Sequence, residues 1–123
     1  MNTQRENISE MKEAKRIEKR HLMNCRIAGF SYWDGAEAFE KLKIGTPLDL
    51  VREPDNRFDP YAVAIYYGEY KLGFIPRDMN HELSKYLEMG YGDIYETRIT
   101  RLAPQEHPEQ QVEVVVKIRR VNG

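Results

Sequence analysis

The chain has 123 residues, 41% hydrophobic and 32% charged, with 19 Lys and Arg against 20 Asp and Glu. That length suits one compact domain with a tail, since single domains cluster at roughly 100–150 residues, and is too short for a cofactor domain stacked on a substrate domain. A net charge of −1 excludes a protein that coats nucleic acid by positive charge alone, but not a small pocket that grips one end of a strand. The single cysteine, Cys25, excludes disulfide scaffolds and four-cysteine zinc sites. No apolar run approaches the ~20 residues of a membrane span, and MNTQRENISE lacks the apolar centre of a signal peptide. The expectation is a soluble, cytoplasmic protein with no cofactor, no metal and no membrane contact.

Residues 1–24 hold six basic and four acidic side chains, so this stretch is net positive while the rest of the chain is net negative. It has no Gly or Pro, and its Glu, Lys, Arg and Ala favour helix. Ile8, Met11, Ala14 and Ile17 form only a thin apolar stripe. The spacing predicts a charged, partly helical tail over 1–23, with residues 1–20 the most mobile part of the chain, followed by one domain over 24–123. A solvated helix, a partner-docking helix and a weak phosphate-binding arm all fit the tail.

Beyond residue 24 the signals are strands and turns. Cys25–Ser31 reads as a strand, with Asp34-Gly35 as a turn and a helical turn over Ala36–Leu42. Leu48–Arg52 follows Gly45-Thr46-Pro47 as a second strand. Ala62–Tyr67 and Tyr70–Ile75 flank Gly68-Glu69, a hairpin signal. Met79, Leu83, Tyr86 and Leu87 recur at helical spacing with Gly90 behind them, and Asp78 or Asn80 stands at the cap. Tyr91–Leu102 reads as a long strand. Gln111–Val121 is another, in which Val112, Val114, Val116 and Ile118 alternate as on a half-buried strand. Ala103–Gln110, with two prolines, reads as an exposed loop. The class is all-β to α+β: a small, partly open antiparallel β-barrel with one or two short helices.

The most unusual stretch is Val51-Arg52-Glu53-Pro54-Asp55-Asn56-Arg57-Phe58-Asp59-Pro60-Tyr61-Ala62-Val63. As structure alone it is a loop between strands: Pro54 ends the first, Asp55 and Asn56 close an Asx turn, and Asp59 caps the turn before Pro60. Together with Ile27-Ala28-Gly29-Phe30-Ser31-Tyr32-Trp33 and Leu72-Gly73-Phe74-Ile75-Pro76-Arg77-Asp78, this stretch resembles the HIRAN domain family. The resemblance covers about two-thirds of the chain, from Asn24 to Met89, in three ordered motifs. HIRAN modules are found attached to DNA-remodelling and fork-repair ATPases and as stand-alone bacterial proteins. The resemblance implies an OB-like antiparallel barrel.

The resemblance further implies a role, since the best understood members grip the 3′-hydroxyl end of single-stranded DNA. Tyr32 matches an aromatic that stacks on the terminal base. Asp59 matches the carboxylate that accepts a hydrogen bond from the 3′-OH. Asn56 matches a polar residue at the pocket rim, and Arg77 a basic residue that meets a phosphate. Phe58 stands where relatives have a Tyr and keeps the stacking face. Ser31 replaces a basic residue and Phe74 a His, so two phosphate contacts are missing. Arg26, Arg57 and Lys71 are the candidates to replace the lost charge. Tyr32 and Trp33 alternate if they lie on a strand, which would place one in the core and one on the ligand.

Catalytic arrangements are missing: the chain has no phosphate-binding GxxxxGK[ST] loop and no GxSxG elbow, and Cys25 has no helix start beside it. Asp55 and Asp59 as a magnesium pair lack the third acid or lysine that a nuclease needs. The reading is therefore a non-enzymatic module that binds single-stranded DNA 3′ ends in repair or replication-fork processing, alone or with a DNA-processing protein partner. The alternative is a protein-interaction adaptor using the barrel face or the N-terminal helix. The two differ in whether Tyr32, Phe58 and Asp59 converge on one concave surface.

Overall fold

The computed structural model describes residues 18–121. Six strands, β1 (Lys19–Arg26), β2 (Pro47–Arg52), β3 (Val63–Tyr67), β4 (Tyr70–Phe74), β5 (Tyr95–Leu102) and β6 (Val112–Arg119), form one sheet in the order β1-β6-β5-β2-β3-β4. All five pairings are antiparallel. Two short helices, α1 (Gly35–Ala38) and α2 (His81–Glu88), interrupt the strands. This is the expected OB-like architecture, and the sheet is curled without being closed.

The sheet's two ends meet at one point. Ala28, two residues past β1, forms an isolated antiparallel bridge with Phe74 of β4. Each residue donates its N–H to the other's carbonyl, at 2.8 and 2.9 Å. Gly73 makes the approach possible: its φ is +144°, and a Cβ there would lie 2.4 Å from the Ala28 carbonyl oxygen. Inside this curl lie Val112, Val114 and Val116 from β6, Ile99 from β5, Val63 and Ile65 from β3, Leu72 from β4, and Leu83 from α2, all fully buried. The period-2 reading of β6 holds as far as Val116, whereas Ile118 is 36% exposed.

Several boundaries differ from the sequence reading, each for a local reason. The first strand is Lys19–Arg26 rather than Cys25–Ser31, so part of the expected tail belongs to the sheet. Its register runs from Lys19 opposite Arg119 to Arg26 opposite Glu113. Most of its side chains are exposed, so no buried alternation marked it. The chain then leaves the ladder because Gly29 takes φ +72° and Phe30–Tyr32 winds into a 3-10 turn. Phe30 is buried there against Gly35, where a Cβ would sit 2.6 Å from the ring. The expected helix and mobility of residues 1–17 lie outside the described residues.

The helical turn after Asp34 is α1, continued by a 3-10 turn at Phe39–Lys41. In α2, Leu83 is buried and Leu87 packs against the core, as does Met79 from the 3-10 turn just before the helix, but Tyr86 is 44% exposed. Gly90 ends that helix at φ +85°, and Tyr91 N–H still reaches back to Tyr86 O at 2.9 Å. The chain is therefore turning where a strand was expected, and β5 starts only at Tyr95. The 103–110 segment is a structured loop containing a 3-10 turn, Pro108–Gln110, whose first amide pairs with His107 Nδ1.

Two outcomes test this account. Gly73→Ala must either break the Ala28 bridge or strain the backbone, so urea unfolding is expected to show a loss of about 1–3 kcal/mol or more. A neutral variant would contradict the close approach. Across the sheet, Glu96 accepts from Lys19 Nζ at 3.2 Å and from Arg98 Nε at 2.7 Å. Those two bonds hold its carboxyl at about 2, below its ordinary 4.5. A folded-state value below the unfolded one means stability present above pH 4.5 and lost as pH falls toward 2. Glu96→Gln is expected to flatten the fall of the thermal midpoint in that window.

Candidate nucleic-acid interface

Three chain segments converge on a cleft of about 380 Å³. Ala28 and Trp33 come from the turn after β1. Asn56, Arg57, Phe58 and Asp59 come from the β2–β3 connection, with Ala62 behind them. Phe74, Ile75 and Arg77 follow from β4, and Asn80 stands at the start of α2. The Ala28–Phe74 bridge brings the first and third segments side by side.

The central loop is built by its own polar side chains. Asn56 Oδ1 accepts the N–H groups of Phe58 at 2.9 Å and Asp59 at 3.1 Å, which is the Asx turn expected from the sequence. Asp59 Oδ1 accepts Tyr61 N–H at 2.9 Å across Pro60. Glu53 N–H to Ala62 O, at 2.9 Å, closes the loop's base. The expected partner in the turn, Asp55, is exposed, and Asn56 makes the turn. Held this way, the loop presents Phe58 at 84% exposure.

Asp59 sits at the polar centre, its side chain 14% exposed. Its Oδ2 accepts from Asn80 Nδ2 at 2.8 Å, and Arg77 Nε lies 3.7 Å away. Arg77 also donates to the Phe58 carbonyl oxygen. Burial alone would raise the Asp59 pKa. The hydrogen bonds from Tyr61 and Asn80, with the charges of Arg77 and His81, outweigh it and hold the value below the ordinary carboxylate range. Asp59 is thus an ionised acceptor at neutral pH, with each oxygen carrying one close donor and lone pairs to spare.

Of the residues singled out from sequence, Asn56, Phe58, Asp59 and Arg77 line this one cleft. Tyr32 is not among the lining residues. It lies on the 3-10 turn, 82% exposed, with its ring beside Gly29. Because residues 30–32 form a turn and not a strand, the expected alternation of Tyr32 and Trp33 fails, and neither is core: Trp33 is 45% exposed and lines the cleft. Sequence reasoning also missed Asn80, read only as a helix cap. It is 1% exposed, makes no side-chain cap and spends its amide on Asp59. His81, at the start of α2, stacks on Tyr61 with ring centres 4.1 Å apart.

The charge candidates separate. Lys71 pairs with Glu53 at 2.6 Å, Arg26 lies away by Arg101 and Glu113, and Arg57 lines the cleft. Glu109, from the loop read as merely exposed, accepts the N–H groups of Gly29 at 2.7 Å and Ser31 at 3.2 Å, and the Ser31 hydroxyl at 3.3 Å. Among the described residues no group of three or more His, Cys, Asp or Glu is placed to hold a metal, and no helix is long and apolar enough to cross a membrane. Cys25 is buried, and desolvation, with Asp78 and Glu113 nearby, pushes its thiol up to about 11. That leaves it protonated and unreactive as a nucleophile.

A curled, open antiparallel sheet with an aromatic and carboxylate cleft beside its last bridge defines a small OB-like binding module. The HIRAN domain model matches residues 21–119, and the chain belongs to that family. HIRAN domains are binding modules, and membership suggests one that binds nucleic acid. Two crystal structures share the fold. A protein from Lactobacillus plantarum is 24% identical, with a TM-score of 0.69 over 81% of this chain and 94% of that one. The HIRAN domain of human HLTF is 12% identical, with a TM-score of 0.53 over 83% of this chain and 81% of that one. No curated protein sequence matches the chain.

The carboxylate at the centre of the cleft can be measured directly. In an NMR titration, Asp59 is expected to lose its proton below the usual aspartate range, and Asn80→Ala is expected to move that midpoint upward, because a hydrogen bond to the charged form is lost. An unmoved midpoint would separate Asn80 from Asp59 in solution.

Proposed function

We propose that this cleft holds the 3′-terminal nucleotide of a single DNA strand and reads its free hydroxyl, in the context of repair or replication-fork processing. The observation that carries the reading is Asp59, a largely buried carboxylate kept ionised in a mostly apolar cleft with acceptor capacity left over. An ionised carboxylate accepts from a hydroxyl and repels a phosphodiester that continues past that atom, so ends are chosen over internal sites.

The other residues fit the same ligand. Phe58 and Tyr32 are the two most exposed large apolar side chains of the described residues, and a base stacked on such a ring is worth ~1–3 kcal/mol whatever its identity. Asn56 fixes the turn that carries Phe58 and Asp59. Arg77, its side chain 71% exposed, retains donors for a phosphate one step back from the end. Few cations surround the cleft, and Glu109 occupies the turn amides beside Tyr32. Affinity therefore rests on stacking and one hydroxyl, with a shallow salt dependence. Partners of this module would be DNA-processing proteins that act on the same ends. The adaptor reading has its own observation, an exposed cluster of Tyr86, Met89 and Tyr91 at the end of α2.

Fluorescence anisotropy with single-stranded oligonucleotides tests the reading. A 3′-phosphate is expected to weaken binding about tenfold or more relative to a 3′-hydroxyl, because a dianion is set against a carboxylate of low exposure. Asp59→Asn should shrink that difference, since the amide accepts from the hydroxyl without repelling phosphate. Arg77→Ala should lower affinity and reduce the salt slope by about one contact. Equal affinity for the two ends in the unmutated protein would sink end recognition, and no binding to either would transfer the weight to the adaptor.

A further inference from the structure

We infer that Trp33 is a ligand-contacting wall of the cleft and that Lys71 is the residue that positions it. The inference rests on the end-binding reading above and adds to it a contact and a supporting mechanism. Trp33 lines the cleft with 45% of its surface exposed. Its indole packs edge-on against Phe74, with ring centres 5.8 Å apart at 70°. Lys71 does not line the cleft and holds the two rings from outside it. Its ammonium lies 3.7 Å from the Trp33 ring centre and 4.6 Å from that of Phe74.

Lys71 is not a phosphate ligand in waiting. Its side chain is 13% exposed, and its ammonium is spent on Glu53 Oε2 at 2.6 Å and on two aromatic faces. Its backbone is equally committed. Asp34 N–H donates to the Lys71 carbonyl at 2.8 Å, and Lys71 N–H donates to Asp34 Oδ2 at 3.0 Å. The residue that follows Trp33 is therefore clamped to Lys71 by two hydrogen bonds.

The chain of contacts continues into the other side of the cleft. Glu53 Oε1 accepts from Asn56 Nδ2 at 3.2 Å, and Asn56 Oδ1 holds the amides of Phe58 and Asp59. One ammonium thus couples the indole wall to the loop that carries the stacking ring and the carboxylate.

Trp33 is the only tryptophan of the chain, so its emission reports this wall alone. An unlabelled oligothymidylate with a free 3′-hydroxyl is expected to quench it, with the midpoint that a fluorescein-labelled copy gives by anisotropy. Trp33→Leu should weaken binding to 3′-hydroxyl and 3′-phosphate ends alike, by about tenfold. Lys71→Met alone strands the Glu53 charge and is expected to lower the thermal midpoint. The double variant Lys71→Met, Glu53→Gln removes both charges, keeps the Asn56 bond through the glutamine oxygen, and should restore the midpoint. Positioning by Lys71 predicts that the double variant still binds roughly threefold to tenfold more weakly and quenches less. Recovery of affinity and quenching together with the midpoint would reduce Lys71 to a structural role and overturn the inference. Binding seen by anisotropy with no change in emission, and full affinity in Trp33→Leu, would overturn the wall while leaving end recognition standing. No binding of either oligonucleotide would remove both.

Discussion

The contact on which the cleft depends is the approach of Ala28 to Phe74, made possible by the absence of a side chain at Gly73. A six-stranded antiparallel sheet of this order has β1 at one end and β4 at the other. Left flat, it would carry the turn with Trp33 and the segment with Arg77 on opposite edges. Two backbone hydrogen bonds at Ala28 bring them together, and the β2–β3 loop fills the gap. Ile27 supplies apolar contact at the same place, since a Cβ on Gly73 would also meet its Cγ2 at 2.7 Å. The bridge is thus packed as well as bonded, and it does double service: it covers an edge that would otherwise template pairing with another chain.

The electrostatics of the cleft follow from how it is ordered and not from net charge. A surface that binds nucleic acid along its length needs many cations to displace counterions. A site that reads one terminus needs one fixed acceptor, aromatic faces and a shape that stops the chain. The acidic balance of the domain is compatible with the second design and not with the first. The carboxylate is held by neutral donors on both oxygens, with the guanidinium of Arg77 at 3.7 Å as a secondary influence. Any hydrogen-bond donor entering the cleft would therefore meet a group oriented before it arrives, which lowers the ordering cost of binding.

How much of this the sequence disclosed depends on whether the signal was local. β6 was legible because Val112, Val114 and Val116 alternate with the less buried Glu113, Val115 and Lys117. The hairpin at Gly68-Glu69 and the Asx turn of Asn56 were legible because their causes lie within four residues. β1 was not, because its partner is nearly a hundred residues away and most of its side chains face solvent. The placements of Trp33, Lys71 and Asn80 were hidden for the same reason: each is set by a neighbour brought in by folding, respectively Phe74, Glu53 and Asp59. Glu109 left no trace at all, since a carboxylate on a proline-containing loop looks like any solvated acid until Gly29 and Ser31 are placed against it. Family resemblance pointed to Asn56, Phe58, Asp59 and Arg77, which share a cleft, and to Tyr32, which does not line it.

The exposure of Phe58 and Tyr32 has a consequence for how the sequence is free to vary. Both rings are in water before folding and remain almost wholly in water after it, so neither contributes appreciable burial energy to the native state. Selection on stability is blind to them, while selection on whatever contacts the rings is not. The core positions behave oppositely: a change at Leu72 or Val114 is felt as lost packing wherever the protein works. These two exposed rings therefore carry none of the fold's weight. Either ring can be exchanged for another side chain while the scaffold beneath stays the same.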